Sequence, residues 1–493
     1  MQFEICNPQS FWLRKSIAAA TLLAAFLLGV PAREVAAWGP HPQITRAALQ
    51  VLPCAERWNA ALGSDNLTML DRYCWMPDER GMDMGAYYAD DYLLIRQMPR
   101  YVGHCMPDVQ QTFVPYFRRA VQALRTETPV NACRQIGSLV HFVEDTGAPP
   151  HAREQCPHHA ELENWVRAEQ VIITGYHPQL LGKTDDAALA GFLRRMAGLV
   201  EFSKARAERA LPLVSQPQPD RAKVEPIILE SALESARVTA DVLYTVLTLG
   251  LSPQSPGASL AGVVTAGHLP LRDNHGARIV LLDTDYGTLA TTDYPGRKGS
   301  QWCGNYELRN LPLGVYRVLA YRTGSQFRIS VPIRLESGKQ TRLDIALPAT
   351  NPPGNILENP DGRLEYLQPG VPDRWQKVSS GSSSTWTAAT ACVEQITTCR
   401  CGAVAKDPAA RITFTFKAWP TADGKRLPPR VCPLTLDGKL RGELTTTLDT
   451  QRWNVVVVQV QSSRPLTEAI ENVWVVPEVK RKEPSKNTLR GTG

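Results

Sequence analysis

Apolar residues recur every three and four positions through three long stretches, VQQTFVPYFRRAVQALR, GFLRRMAGLVEFSKARAERAL and ILESALESARVTADVLYTVL. Helical rotation gathers such residues into one stripe, so the pattern predicts amphipathic helices packed on a common core. From about residue 258 the period changes. Short alternating runs such as ARIVLLDTD, YELRNLPLGVYRVLAYRT and RLDIALP are separated there by Gly, Pro, Asn and Asp. That texture predicts an antiparallel β-sandwich. Proline-rich joints at SPQSPG, residues 252–257, and NPPGN, residues 351–355, divide the 493 residues into a helical domain and two β domains.

One further apolar run stands apart from these. Arg14 and Lys15 precede SIAAATLLAAFLLGV, and PAREVAA follows it. A charged start, a short apolar middle and small residues at the end form a secretory signal peptide over 1–37, too short for a confident membrane span. Cleavage after Ala37 leaves Trp38 at the head of WGPHPQITRAAL, in an exported protein that is secreted or periplasmic.

The densest chemistry lies in HFVEDTGAPPHAREQCPHHAELE, residues 141–163. His141 and Asp145 are four residues apart and project from one face of a helix. Pro149 and Pro150 stop that helix and turn His151 back toward the same point. His159 and Glu163 repeat the four-residue offset on a next helix expected over ELENWVRAEQVII. Imidazole nitrogens and carboxylate oxygens in this density are the ligands of closely set divalent metals, zinc first among them. His158 stands beside His159, but the offset to Glu163 favours His159.

With the Trp38 start and the HxxxD, H, HxxxE series on the page, residues 38–250 resemble the zinc-dependent phospholipase C and S1/P1 nuclease superfamily. The resemblance implies an all-α trizinc domain whose N-terminal tryptophan helps to bind one ion. Trp38 and His41 would then hold one zinc with Asp145 as a bridging carboxylate. His141 and Asp145 would hold a second, joined by His104 and by an aspartate. Asp78 in CWMPDERG is the choice for that aspartate, while Asp90 or Asp91 in YYADDY fits the spacing of another form of the family. His151, His159 and Glu163 would hold the third. Asp78 and Asp145 are the expected catalytic carboxylates, Asp78 by orienting or deprotonating the attacking water. The chain departs from the family in the short interval between Trp38 and His41 and in TGAPPHA, where many relatives carry a glutamine before the proline. His177, His268 and His275 read as ordinary surface or loop residues.

The β segments resemble known modules as well. Residues 258–349 are similar to a carboxypeptidase regulatory-like β-sandwich, and 356–479 resemble a jelly-roll of the carbohydrate-binding type; 480–493 form a basic tail. These resemblances imply membrane-surface or carbohydrate contact through the β domains and no stable protein partner. Removal of Cys6 with the signal leaves ten cysteines, an even number that predicts disulfides in an oxidising compartment. Cys399 and Cys401 have no histidine beside them, which favours pairing over a soft-metal site.

Charge bears on substrate. The formal net charge is +6, but Lys480, Arg481, Lys482, Lys486 and Arg490 of the tail stand against Glu483 alone, so the body is close to neutral. No concentrated basic stripe runs through 38–250, which weighs against a groove for a long nucleic-acid strand. Within the resemblance, and with β domains appended, the expected function is a secreted zinc phospholipase C acting through metal-activated water. The alternatives are an S1/P1-type nuclease on single-stranded nucleic acid and a non-catalytic surface-binding protein with structural zinc.

Overall fold

A computed structural model of the chain describes residues 39–75, 77, 104–153, 156–266, 277–290, 304–322, 324–357, 359–364, 371–372, 375–380, 383–418, 428–436, 440–447 and 453–479. Residues 1–37, where a signal peptide is expected, and Trp38, Asp78, Asp90, Asp91, His268, His275 and the basic tail lie outside these residues.

A helical region comes first. It comprises α1 (His41–Gln50), α2 (Ala55–Leu62), α3 (Ser64–Thr68), α4 (Leu70–Tyr73), α5 (Gln110–Thr126), α6 (Pro129–Gly147), α7 (His159–Asn164), α8 (Asp185–Val214) and α9 (Arg221–Gly250). The three apolar stripes became α5, α8 and α9. Both long helices start on side-chain caps: Ala187 N donates to Thr184 Oγ1 at 3.3 Å, and Ala222 N donates to Asp220 Oδ1 at 3.1 Å. Pro129 opens α6 at its first turn.

The helix α6 is buried around nearly its whole circumference, from Val130 to Gly147. A helix so enclosed must find an internal partner for every polar side chain it carries. Asn131, Arg134, Gln135, Ser138, His141, Glu144 and Asp145 are all buried on it. The polar groups are concentrated at its two ends, one facing a β-sheet and the other forming the site described below.

The β region follows in two parts. The first contains β1 (Ala258–Thr265), β2 (Ala277–Leu281), β3 (Gly287–Ala290), β4 (Asn305–Leu311), β5 (Gly314–Tyr316), β6 (Val318–Tyr321), β7 (Arg328–Ile329), β8 (Ile333–Leu335), β9 (Gln340–Arg342) and β10 (Ile345–Ala346). One sheet runs in the order β3-β2-β6-β7, another is built on β1 and β4, and β5 pairs with β8. The pairing is not wholly antiparallel as the alternation predicted. β1 runs antiparallel to β4 but parallel to β9 and β10, because the long return through β5 to β8 brings the chain back in the direction of β1.

The second part contains β11 (Gln376–Ser380), β12 (Ser383–Ala405), β13 (Arg411–Ala418), β14 (Arg430–Leu434), β15 (Arg441–Thr447), β16 (Trp453–Ser462) and β17 (Ile470–Val479). The first half of the 23-residue β12 pairs with β11 and β16, and its second half pairs with β15 and β17. One strand thus belongs to two sets of neighbours, whose side chains, among them Trp386, Phe414, Val458 and Val473, share one core.

The first β part is fastened to the helices. Val280, Leu282, Leu289, Leu319 and Tyr321 belong to the same apolar core as α5 and α6. Arg119 donates from Nη2 to the Gly287 carbonyl at 3.0 Å, and Asn131 Nδ2 donates to Thr288 Oγ1 and the Leu289 carbonyl, each at 3.0 Å. Arg119 also pairs with buried Glu127 at 2.6 Å.

Two further expectations change. The helix after the histidine-rich run ends at Asn164, after six residues, because no apolar stripe extends it and Trp165 leaves helical geometry. Cys54, Cys74, Cys105, Cys133, Cys156, Cys399, Cys401 and Cys432 all carry free thiols, so the expected disulfides are not formed among them. Cys399 and Cys401 lie on one face of β12 with their sulfurs 3.4 Å apart, whereas a disulfide needs about 2.05 Å.

Candidate metal centre

The centre is built outward from the C-terminal end of α6. Gly137 lets that helix approach α4 so closely that a Cβ there would stand 2.4 Å from Tyr73 Cβ. The approach sets the Cys74 carbonyl 2.8 Å from His141 Nδ1. A carbonyl only accepts, so Nδ1 is the protonated nitrogen and the Nε2 lone pair of a neutral His141 faces inward. His41, at the start of α1, is fixed in the same manner. Its Nδ1 lies 2.7 Å from Glu144 Oε2, and Thr45 Oγ1 donates to Glu144 Oε1 at 2.6 Å.

The Asp145 carboxylate sits at the focus of these rings. Its Oδ2 is 2.9 Å from His104 Nδ1 and 3.0 Å from His141 Nε2, and those two nitrogens are 3.1 Å apart. Its Oδ1 is 3.3 Å from His41 Nε2 and 3.2 Å from His151 Nδ1. On the far side of His151, its Nε2 lies 2.8 Å from Glu163 Oε1, which is also 3.1 Å from His159 Nε2. The α7 turn supplies both His159 and Glu163. His41, His141, Asp145 and Glu163 are fully enclosed, while the side chains of His104 and His159 each retain 11% exposure and mark the side that opens to solvent.

These atoms fit divalent metal better than they fit one another. Despite their short approaches, both Asp145 oxygens, His151 Nδ1 and Glu163 Oε2 are buried without a hydrogen bond of acceptable direction. Donor atoms held around one tetrahedral ion at about 2.0–2.1 Å lie roughly 3.3 Å apart, close to the spacings here. The groups behind the rings also fit: a metal-bound imidazole ordinarily donates its other N–H to a carboxylate or carbonyl, as His41 does to Glu144 and His141 to Cys74. Two sets of three side chains place their ligand atoms within 4.8 Å of one another, His41, His141 and Asp145, and Cys105, His151 and His159.

Electrostatics carry the same signature. Burial opposes the charged form of Asp145, yet the charges of His141 and His151 and contact with His104 hold its carboxyl well below the usual range. Burial also opposes protonation of His41, but contacts with Asp145 and Glu144 outweigh it and push the ring up to about 10. His151 is likewise raised, by Asp145 and Glu163 against its own burial. With protein groups alone, the centre draws in positive charge as protons. A divalent cation supplies that charge and displaces the protons.

The structure therefore brings together His41, His104, His141, Asp145, His151, His159 and Glu163. Trp38, Asp78, Asp90 and Asp91 are outside the described residues. His158 turns aside in left-handed backbone at φ 53° and is partly exposed, with its Nδ1 3.8 Å from Glu161 Oε1. Sequence reasoning overlooked Glu144, Thr45 and Cys105. The first was legible as a second carboxylate beside Asp145; Cys105, next to His104, had been counted toward disulfides.

No protein-family model matches the sequence, and no curated protein matches it. Among solved structures, an alpha toxin from Clostridium absonum aligns at 14% identity and TM-score 0.34, covering 61% of this chain and 96% of that one. The Clostridium perfringens alpha-toxin of an avian strain aligns at 13% identity and TM-score 0.33, with the same coverage. A putative carbohydrate-binding protein from Bacteroides uniformis aligns at 10% identity and TM-score 0.15, over 46% of this chain and all of that one. These are loose likenesses, at low identity and low TM-score.

Proposed function

We propose that the chain is an exported zinc-dependent phosphodiester hydrolase of the phospholipase C type, using up to three ions. In this reading residues 38–250 form the hydrolase domain, 1–37 a signal peptide, and 258–349 and 356–479 appended modules of the regulatory-like and jelly-roll kinds. The observation that carries it is the convergence of five imidazoles on the buried Asp145 and Glu163 carboxylates. Bound zinc supplies a water of lowered pKa and neutralises charge on a phosphate. The chain's own groups prepare the place: Glu144 and the Cys74 carbonyl fix the His41 and His141 rings, Asp145 holds negative charge between the two halves, and His104 faces the open side. Asp78 remains the candidate for orienting the attacking water, with Asp90 as the alternative.

The preference for lipid over nucleic acid is supported by the first β part. Leu313 and Val315 share one face of the β5 segment and are 56% and 57% exposed, and nearby Val331 is 76% exposed. Residues 312–335 carry Arg317, Arg322, Arg328 and Arg334 and no carboxylate. Exposed aliphatic side chains among arginines suit an anionic lipid surface. Replacing Val315 and Val331 together by aspartate should weaken cosedimentation with phosphatidylcholine–phosphatidylglycerol vesicles by about tenfold or more, given about 1 kcal/mol for each charge near the surface. Hydrolysis of a short-chain, water-soluble phosphodiester should be unchanged, and equal vesicle binding by the double variant would remove this support.

The deciding assay offers the chain beginning at Trp38 phosphatidylcholine vesicles and single-stranded DNA, with and without a zinc chelator. Chelator-sensitive release of phosphocholine is the expected result. Release of nucleotides instead would move the protein to a nuclease, and activity on neither would defeat the hydrolase reading.

A further inference from the structure

Cys105 follows His104 but serves the opposite half of the centre. Its Sγ and ring nitrogens of His151 and His159 lie within 4.8 Å of one another. Glu163 places a carboxylate against both histidines, with Oε1 at 2.8 and 3.1 Å from His151 Nε2 and His159 Nε2. Its other oxygen, Oε2, is wholly buried and has no hydrogen-bond partner. The backbone secures the arrangement, because Met106 N donates to the His151 carbonyl at 2.8 Å and so clamps the Cys105 segment against the turn that carries His151.

We propose that Cys105 is a further protein ligand of the ion held by His151, His159 and Glu163. A sulfur donor beside two imidazoles selects zinc-like ions over magnesium, calcium or manganese. On binding, the cation replaces the thiol proton, which leaves to solvent as the sulfur–metal bond forms. The ligand assignment stands on geometry by itself and does not depend on the hydrolase reading.

Cys156 is the competitor. It is a buried free thiol close enough to Cys105 for their charges to interact, and an oxidant that joined the two would remove the ligand. The test loads the full chain with cobalt(II) and records its near-ultraviolet spectrum. A thiolate-to-cobalt charge-transfer band is expected in the wild type and in Cys156→Ser. Cys105→Ser should lose the band and weaken the tightest cobalt-binding step by on the order of 100-fold, at least the effect of losing an outer-shell partner. Mass spectrometry after iodoacetamide should find Cys105 protected with metal and alkylated after chelation. A cobalt-loaded Cys156→Ser protein without the band, or a Cys105–Cys156 crosslink in the metal-loaded wild type, would overturn the assignment. These readouts need no turnover, so a wild type with the band but no hydrolysis would sink the hydrolase reading and leave the ligand in place.

Discussion

Replacing Asp145 by asparagine is expected to lower phosphodiester hydrolysis by on the order of 10³-fold or more, at about 1.4 kcal/mol for each factor of ten. The substitution keeps the shape of the side chain and removes its charge. Four imidazole nitrogens lie within 3.3 Å of that carboxylate, two on each oxygen. An amide presents one oxygen and one NH₂, so it cannot serve both sides as acceptor. Metal bound per chain, measured by mass spectrometry, should fall with turnover. The helical circular dichroism should persist, because α6 is also held by its close contacts with Tyr73 at Gly137 and with Ser235 at Gly147. Turnover lost only in proportion to folded protein would instead indicate structural zinc, and near-normal turnover would exclude Asp145 from the chemistry.

The second large effect is on stability, at the opposite end of α6. Arg119→Met is expected to cost about 3–5 kcal/mol, the usual consequence of leaving one member of a buried ion pair uncompensated. At this chain length, with about 2.1 cal/mol/K of unfolding entropy per residue, that corresponds to a melting temperature roughly 3–5 °C lower. Burial already raises the Glu127 carboxyl above its ordinary value, and Arg119, Thr288 and Arg134 pull it part of the way back. Without Arg119 it rises further. A raised carboxyl favours the fold below its unfolded value of 4.5, and that contribution is lost as pH rises through the folded value. The deficit of the variant should therefore be large at neutral pH and shrink as the pH falls toward 4.5. A deficit independent of pH would mean that lost packing, not charge, is responsible. The same substitution removes the Arg119 hydrogen bond to Gly287, so the variant also probes the joint between the helices and the first β part.

That joint was not legible in the sequence. The change from helical to alternating period near residue 258 marked where β structure begins, and the proline-rich SPQSPG suggested a linker between separate units. Yet Asn131 and Arg119 bond to β3 across intervals of 157 and more residues, and Leu289 and Tyr321 complete the core of the helices. A linker records only where the chain is locally extended; which surfaces meet beyond it depends on side chains far apart in the sequence. The parallel pairing of β1 with β9 and β10 was hidden for the same reason, since alternation reports which face is buried and not the direction of a neighbour.

The sequence by itself determined the long helices and the dense run of ligand types. Their information is local: apolar spacing dictates a buried stripe, and the four-residue offsets of His141 with Asp145 and His159 with Glu163 place each pair on one helical face. Tertiary structure alone decided what those pairs meet. Packing of α1, α4 and the segment at His104 around α6 brought in the Cys74 carbonyl, Glu144 as the anchor of His41, and Cys105 as a thiol facing His151 and His159. A ligand shell is a set of distances between atoms from separate elements, and only the packing of the chain sets those distances.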